Sequence, residues 1–203
     1  MKAADEKAIK AAEKPSRSRV THHIQTPELG PKVVRFAGIS TAPNHTSQEQ
    51  LHGWETFVQD LYGHWNTSPA GMRRKADFRN FFIKALAMST DHANDQKKLK
   101  TLFQQLKMFY EREVRGERVL LRLAPEELIS IIYEINVEKI AAAGGQVAWD
   151  LLPADEQNRI NTQLHGDVCR KFGHEDFNKL SVEQQREVDF FLWAGCCMHK
   201  DLN

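Results

Sequence analysis

The chain is short of cysteine and of long apolar runs, and each shortage excludes a class of protein. Its three cysteines are Cys169, Cys196 and Cys197. An odd number with two adjacent members cannot close a disulfide framework, because a bridge between neighbours is strained. No apolar run approaches the roughly 20 residues that cross a bilayer, and the charged start Met1–Lys14 lacks the apolar region of a secretion signal. We therefore expect a cytoplasmic or nuclear protein without a membrane partner.

Net charge is also lacking. Lys and Arg total 28 against 27 Asp and Glu, which leaves +1 and supplies no bulk attraction to nucleic acid. DNA binding therefore requires local basic patches. The 41% hydrophobic and 27% charged residues are a globular balance, so we expect most of the 203 residues to fold.

The polar segment 1–44 is interrupted repeatedly by proline. Such a composition predicts a flexible arm, with one short extended stretch at Val33–Ala37. An exposed helix over Ala3–Glu13 is the alternative. The prolines are Pro15, Pro27, Pro31 and Pro43, and a basic cluster comprises Lys14, Arg17 and Arg19.

Helix starts and stops follow from Thr46 onward. Proline suits a first helical turn, Ser with Gln three residues later forms a capping box, and glycine ends helices. The predicted starts are Ser47 with Gln50, Pro69, a point near Asp91, Pro125, Pro153, and Ser181 with Gln184; the predicted ends are Gly144-Gly145 and Gly173. The third helix is expected to run past Gly116 to Leu123 or to bend there.

Apolar residues recur at helical spacing and predict the inner face of each helix. They are Trp54, Phe57, Val58, Leu61 and Trp65; Phe78, Phe81, Phe82 and Ala85; Leu99, Leu102, Phe103, Leu106 and Phe109; Leu128, Ile131, Ile132 and Ile135; and Val188, Phe191 and Leu192. No alternating strand pattern is predicted here. The class is all-α, an irregular helical bundle or array over 45–203.

Four arginines lie close together on the third predicted helix and are candidates for phosphate contacts. Glutamates are interleaved with them, so a solvated face with intrahelical ion pairs is the alternative and is favoured. The arginines are Arg112, Arg115, Arg118 and Arg122; two shorter basic runs are Arg73, Arg74 and Lys75, and Lys97, Lys98 and Lys100.

Cys196 and His199 form a Cys-x-x-His pair, which is half of a tetrahedral zinc site. A small zinc-stabilised helical domain is therefore an alternative, although further ligands have no recognisable finger spacing. The other candidates are Cys197, Cys169, His165 and His174. No Gly-rich phosphate loop, nucleophile elbow or His-Glu-x-x-His helix is present.

The segment Val188–Asn203 contains the string Gly-Cys-Cys-Met-His-Lys-Asp-Leu-Asn. It resembles the Kyakuja-Dileera-Zisupton (KDZ) transposases, particularly those abundant in fungal genomes, in which this string is a hallmark. Its Cys-x-x-His element also occurs in hAT-type transposases. Leu180–Asp189 is similar to the same proteins, and the resemblance covers about the last half of the chain.

This resemblance implies an RNase-H-like nuclease domain, interrupted by a large helical insertion and acting on DNA in the nucleus. Such enzymes place three carboxylates around two divalent cations, typically Mg²⁺. Cys196 and His199 match the family's element, which implies that they support the active site or contact the cut strand and do not bind the metal. Asp189 is the nearest upstream carboxylate and the candidate catalytic residue, with Asp167 and Asp176 at longer spacing.

The family's last glutamate comes well after the Cys-x-x-His element, whereas these residues end four positions after His199. The family's first aspartate also has no evident counterpart. We therefore expect a C-terminally truncated transposase-like protein with no nuclease activity or cofactor of its own. A transposon-derived helical module that binds DNA or protein is the alternative. An incomplete domain should expose an apolar face and self-associate.

Overall fold

The computed structural model describes residues 18–26 and 33–42 by their backbone and residues 46–90 and 93–195 in full. From residue 46 onward the described residues are predominantly helical, which confirms the predicted class. None of the described helices is long and apolar enough to cross a membrane. The rest of the predicted N-terminal arm lies outside the described residues. Cys196 and His199, near the other end of the sequence, also lie outside them.

Two strands pair within the predicted arm. Strands β1 (Ser18–Thr26) and β2 (Val33–Ala42) are antiparallel, with Ser18 opposite Ala42 and a register shift between His22 and His23. Strand β2 contains the predicted extended stretch and is longer. Strand β1 was not predicted, although its β-branched residues favour a strand.

Eight helices follow in the described residues. They are α1 (Ser47–Thr67), α2 (Pro69–Arg73), α3 (Arg79–Lys84), α4 (Asn94–Leu120), α5 (Pro125–Ala142), α6 (Gln146–Asp150), α7 (Ala154–Phe177) and α8 (Val182–Val188). A second pair of strands, β3 (Ala87–Thr90) and β4 (Leu192–Gly195), was not predicted. Each has only four residues, too few for an alternating pattern to be recognised.

The chain divides into two compact units. Unit 1 comprises Met1–Ala76, Thr90–Leu102 and Gly195–Asn203, and unit 2 comprises Asp77–Ser89 and Phe103–Ala194. The division falls within α4. The predicted boundary between an arm and a helical domain stays a prediction.

In unit 1, helix α1 is capped one residue earlier than predicted. Thr46 is the N-cap, and its hydroxyl accepts a hydrogen bond from the backbone N–H of Glu49 at 3.3 Å. Ser47, the predicted cap, is buried and donates to the carbonyl oxygen of Asp95 at 2.7 Å. The predicted inner face is also only partly correct, because Val58 is fully buried whereas Leu61 and Trp65 are exposed.

The single helix predicted from Pro69 to Ala85 is wrong, because the chain leaves the helix after Arg73. The side chain of Asn66 donates to the carbonyl oxygen of Ala76 at 2.9 Å and accepts from its N–H at 2.8 Å. This pair of bonds replaces helical hydrogen bonds. Helix formation resumes at α3, where the carboxylate of Asp77 accepts from the N–H of Arg79.

The core of unit 2 is aromatic and centres on Phe82, which is fully buried. Its ring lies 5.4 Å from that of Phe103 and 5.6 Å from that of Tyr110. Phe103 in turn stacks on Phe191 at 5.3 Å. Phe109, predicted to be inside, is 42% exposed, because helix α4 turns Tyr110 and Val114 inward instead.

Helices α4 and α7 approach so closely that glycine is required at the crossing. A Cβ atom on Gly116 would lie 1.7 Å from the carbonyl oxygen of Cys169, and one on Gly173 would lie 1.8 Å from that of Arg112. Each glycine is thus needed for close packing inside a helix and does not end one. Helix α4 runs through Gly116 and ends at Leu120, and helix α7 runs past its predicted end at Gly173 to Phe177.

Helix α5 has the predicted bounds, with Pro125 in its first turn and Gly144 and Gly145 at positive φ after its end. Its predicted inner residues are less buried than expected: none is buried, and Ile132 is exposed. Helix α8 begins with the predicted capping box, in which Ser181 and Gln184 exchange hydrogen bonds.

Candidate functional site

The most distinctive polar feature of unit 2 is a buried arginine, Arg112, on the face of α4 toward α7. Only 3% of its surface is exposed. One guanidinium nitrogen donates to both carboxylate oxygens of Asp189, each at 2.8 Å, and another pairs with Glu111. The guanidinium carbon lies 3.3 Å from the ring centroid of Phe177. These contacts tie α4 to the end of α7 and to the residue that ends α8.

Arg115 extends the network by one helical turn. It donates to Glu111 at 2.8 Å and to Asp176 of α7 at 3.0 Å. Burial would lower the pKa of Arg115, but these two carboxylates outweigh burial and raise it. Arg112 and Arg115 are therefore bound to carboxylates within unit 2.

A second cluster of ion pairs lies on the other flank of α4. Arg79 donates to Glu113 at 2.8 Å and to Glu117 at 2.6 Å, and it also pairs with Asp77. Burial would lower the pKa of Arg79, but its bonds to these acids raise it. Arg170 of α7 reaches the same Glu113 at 2.5 Å.

The favoured alternative, a solvated face with intrahelical ion pairs, is only partly correct. Glu111 pairs with Arg112 and Arg115 within α4, but Arg112 is buried and most of the other pairs join different elements.

Arg118 and Arg122 differ from the first two arginines of the predicted DNA-binding set. Both side chains are exposed. Neither forms an ion pair in the part of the chain that the structure describes. The structure thus divides the predicted set into two arginines that hold helices together and two that are accessible to a ligand.

A cavity of about 200 Å³ opens beside Arg112. Arg170 and Phe109 are both part of its lining, and the guanidinium carbon of Arg170 lies over the ring of Phe109, 4.3 Å from the ring centroid. The Nε of Arg112 is buried and has no hydrogen-bond partner among the described residues. The cavity is lined by Gln105, Met108, Phe109, Arg112, Arg170 and His174.

Asp189 does not fit the role of an open metal ligand in this conformation. Both its carboxylate oxygens accept hydrogen bonds from Arg112, and a cation would have to displace that pair. It is the C-cap residue of α8. Asp167 and Asp176 are also paired with arginines. The described residues contain no group of three side chains that could hold a metal ion.

The zinc alternative involves Cys196, Cys197 and His199, which lie outside the described residues. Of its other candidates, Cys169 is buried with its sulfur 3.7 Å from the ring nitrogens of His165. Burial raises the pKa of the Cys169 thiol to about 11, which disfavours the thiolate that zinc binds. Zinc binding stays a prediction, to be checked by metal analysis and by melting with a chelator.

Sequence reasoning missed Lys107, which is 2% exposed. Its ammonium group donates to the carbonyl oxygens of Ile83 and Ala85, at 2.9 and 2.8 Å, and so caps the end of α3. Burial lowers its pKa, against the opposing effect of Asp189 and Glu111. Its position in the sequence could have indicated this burial, because Lys107 follows Phe103 by four residues and so lies on the apolar side of the helix.

Comparison of the chain with protein-family models, with curated proteins and with solved structures gave no match.

Proposed function

We propose that this chain is a KDZ transposase-like protein whose helical part binds DNA in the nucleus and does not cut it alone. The observation that carries the proposal is the nine-residue string Gly195–Asn203 and its resemblance to that family. The string begins at the last residue of β4, and the preceding backbone is held by a hydrogen bond from Leu192 to Leu86 at 2.9 Å.

The distribution of charge supports DNA as the ligand. Arg118 and Arg122 project from unit 2 without carboxylate partners among the described residues. Exposed basic residues of this kind track phosphates and release bound counterions. Unit 1 carries further basic side chains for which the structure likewise has no ion pair in its described part: Arg73, Arg74, Lys75, Lys97, Lys98 and Lys100.

The pairing of Asp189 supports the second half of the proposal. Two-metal cleavage requires several carboxylates free to bind cations. Asp189 instead forms a two-pronged ion pair with a buried arginine, and such a charge cannot leave its partner without a large cost. We propose that Asp189 orients the segment leading to the Cys-x-x-His element.

DNA binding is tested by fluorescence anisotropy with a labelled duplex between about 50 and about 200 mM salt. We expect micromolar affinity that falls with salt, and a double variant, Arg118→Glu with Arg122→Glu, that lowers the salt slope by roughly 2. The matched control is Lys171→Glu with Lys179→Glu, which makes the same charge change at exposed positions of unit 2. Equal loss in both variants, or no binding at low salt, contradicts this interface.

Cleavage is tested separately with supercoiled plasmid and Mg²⁺. We expect no nicking above a protein-free control. Nicking that requires Mg²⁺ and stops with a chelator would overturn the proposal that the chain does not cut alone. Self-association stays a prediction, and light scattering after size exclusion tests it, because a concentration-independent monomer would contradict it.

A further inference from the structure

Helix α5 exposes apolar side chains that a helix normally buries. It has no buried residue, and its most exposed large apolar residues are Tyr133 at 68% and Ile129 at 65%. Ile132 and Val137 are also exposed. Because residues three and four apart lie on one side of a helix, these four form a single stripe, the α5 outer face.

The opposite stripe of α5 is already used. Leu128, Ile131 and Ile135 are half-buried, and Lys139 on the same side of the helix reaches Asn161 of α7 at 3.1 Å. The helix is therefore apolar on two faces. Helices with this pattern are covered on both sides in their working state.

The charges beside the α5 outer face specify what can cover it. Glu127, Glu134 and Glu138 recur at helical spacing along one border and are exposed. In the described part of the chain no basic group pairs with them. The only base of α5, Lys139, is engaged by Asn136, Asn161 and the ring of Trp149. We call these three glutamates the acidic edge.

This acidic edge decides between two occupants of the face. An antiparallel second copy of α5 would bring the glutamates of both helices to the same border, where like charges repel. A parallel copy would place them opposite a border of α5 whose only base, Lys139, is already engaged. A helix with lysines or arginines beside its apolar stripe would place opposite charges there. The charge pattern therefore favours a basic partner over self-pairing.

We propose that the α5 outer face is a docking surface for an amphipathic partner helix. This helix has apolar residues at i, i+3, i+4 and i+7, and Lys or Arg along one border. Its apolar residues pack on Ile129, Tyr133 and their neighbours, and its bases pair with the acidic edge. The proposal does not depend on DNA binding, which uses Arg118 and Arg122.

The test uses a fluorescent peptide of about 18 residues with leucines at that spacing and lysines on one border. A peptide with every lysine replaced by glutamate is the control. We expect micromolar binding of the lysine peptide, as is usual for a small interface, and no measurable binding of the glutamate peptide. Raising the salt should weaken the binding.

Two variants assign the binding to this face. Tyr133→Ser removes an exposed apolar anchor without touching a buried residue, and we expect about tenfold weaker binding. Glu134→Lys with Glu138→Lys reverses the acidic edge, and we expect the preference to switch to the glutamate peptide. Circular dichroism confirms that both variants stay helical.

Three outcomes would overturn the proposal. One is that neither peptide binds, and another is that the charge reversal leaves the peptide preference unchanged. The third is a dimer of the wild-type chain that Tyr133→Ser abolishes, because a second copy would then occupy the face.

Discussion

Replacing Gly116 with alanine should destabilise unit 2, although alanine is the better helix former. A Cβ atom at this position would lie 1.7 Å from the carbonyl oxygen of Cys169 and 2.9 Å from the backbone nitrogen of Gly173. Ordinary van der Waals contact begins at 3.4 Å. Both neighbours are backbone atoms of α7, so no side chain can rotate away to make room.

The magnitude follows from what must move. To accept the methyl group, α4 and α7 must separate by well over 1 Å at the crossing, and a gap of that size forfeits about half of the local dispersion energy. Overpacking typically costs about 1–3 kcal/mol and occasionally more. Because two backbone atoms of α7 stand in the way here, we take a cost of about 4 kcal/mol. Helix propensity returns about 1 kcal/mol. We expect a net loss of about 3 kcal/mol, in part from weaker stacking of Arg112 on Phe177.

Urea unfolding followed by circular dichroism measures this loss. With a slope of about 2 kcal/mol per M, a loss of about 3 kcal/mol lowers the midpoint by about 1.5 M. Gly173→Ala should act in the same direction, because its Cβ would lie 1.8 Å from the carbonyl oxygen of Arg112.

The matched control is Gly63→Ala in the interior of α1. Nothing lies within 4 Å of a Cβ at that position, so we expect a gain of about 0.5–1 kcal/mol from helix propensity alone. The same chemical change thus has opposite signs at the two sites. If Gly116→Ala matches or exceeds the wild-type stability, the close crossing of α4 and α7 is refuted.

Two further predictions concern titratable groups of unit 2. Burial would raise the pKa of Asp77, but hydrogen bonds from Arg79 outweigh it and lower that pKa. The stability that Asp77 contributes is therefore present above the unfolded pKa, about 3.9, and is lost as the pH falls through the folded value. Asp77→Asn should flatten the fall of the urea midpoint as the pH drops below about 4, and an unchanged slope would contradict this. The second prediction concerns Cys169 in a variant with serine at positions 196 and 197. Because burial raises the pKa of its thiol to about 11, Cys169 should resist thiol reagents at about pH 8 until urea unfolds the chain. Rapid labelling of the native protein would refute the burial of Cys169.

Local signals in the sequence predicted the parts of the fold that local contacts determine. Pro125, the glycine pair after α5 and the Ser181–Gln184 capping box lie within one turn of the ends that they mark. The break between α2 and α3 could not be predicted in this way. It depends on the side chain of Asn66 reaching the backbone of Ala76, ten residues away.

The candidate site was predicted less well than the fold, because its partners are distant in sequence. The carboxylate that holds Arg112 is 77 residues away, and Glu113 pairs with residues 34 and 57 positions away. The spacing predicted that the four arginines lie close together, whereas the structure separates the paired Arg112 and Arg115 from the exposed Arg118 and Arg122. The spacing could not show which members carry out an internal structural role.

Substitutions of Arg112 and Arg118 test the distinction between structural and exposed arginines directly, because both residues lie on α4. Arg112→Ala breaks the ion pair of Asp189, leaves Glu111 with Arg115 alone and empties the space over Phe177. Breaking such a pair costs about 3–5 kcal/mol, whereas truncating the exposed Arg118 should change stability by less than about 0.5 kcal/mol. A double-mutant cycle with Asp189→Asn checks the cause, since the paired variants should lose less than the sum of the single losses. Additive losses would mean that the 2.8 Å contacts do not stabilise the fold and that Asp189 is available for another role.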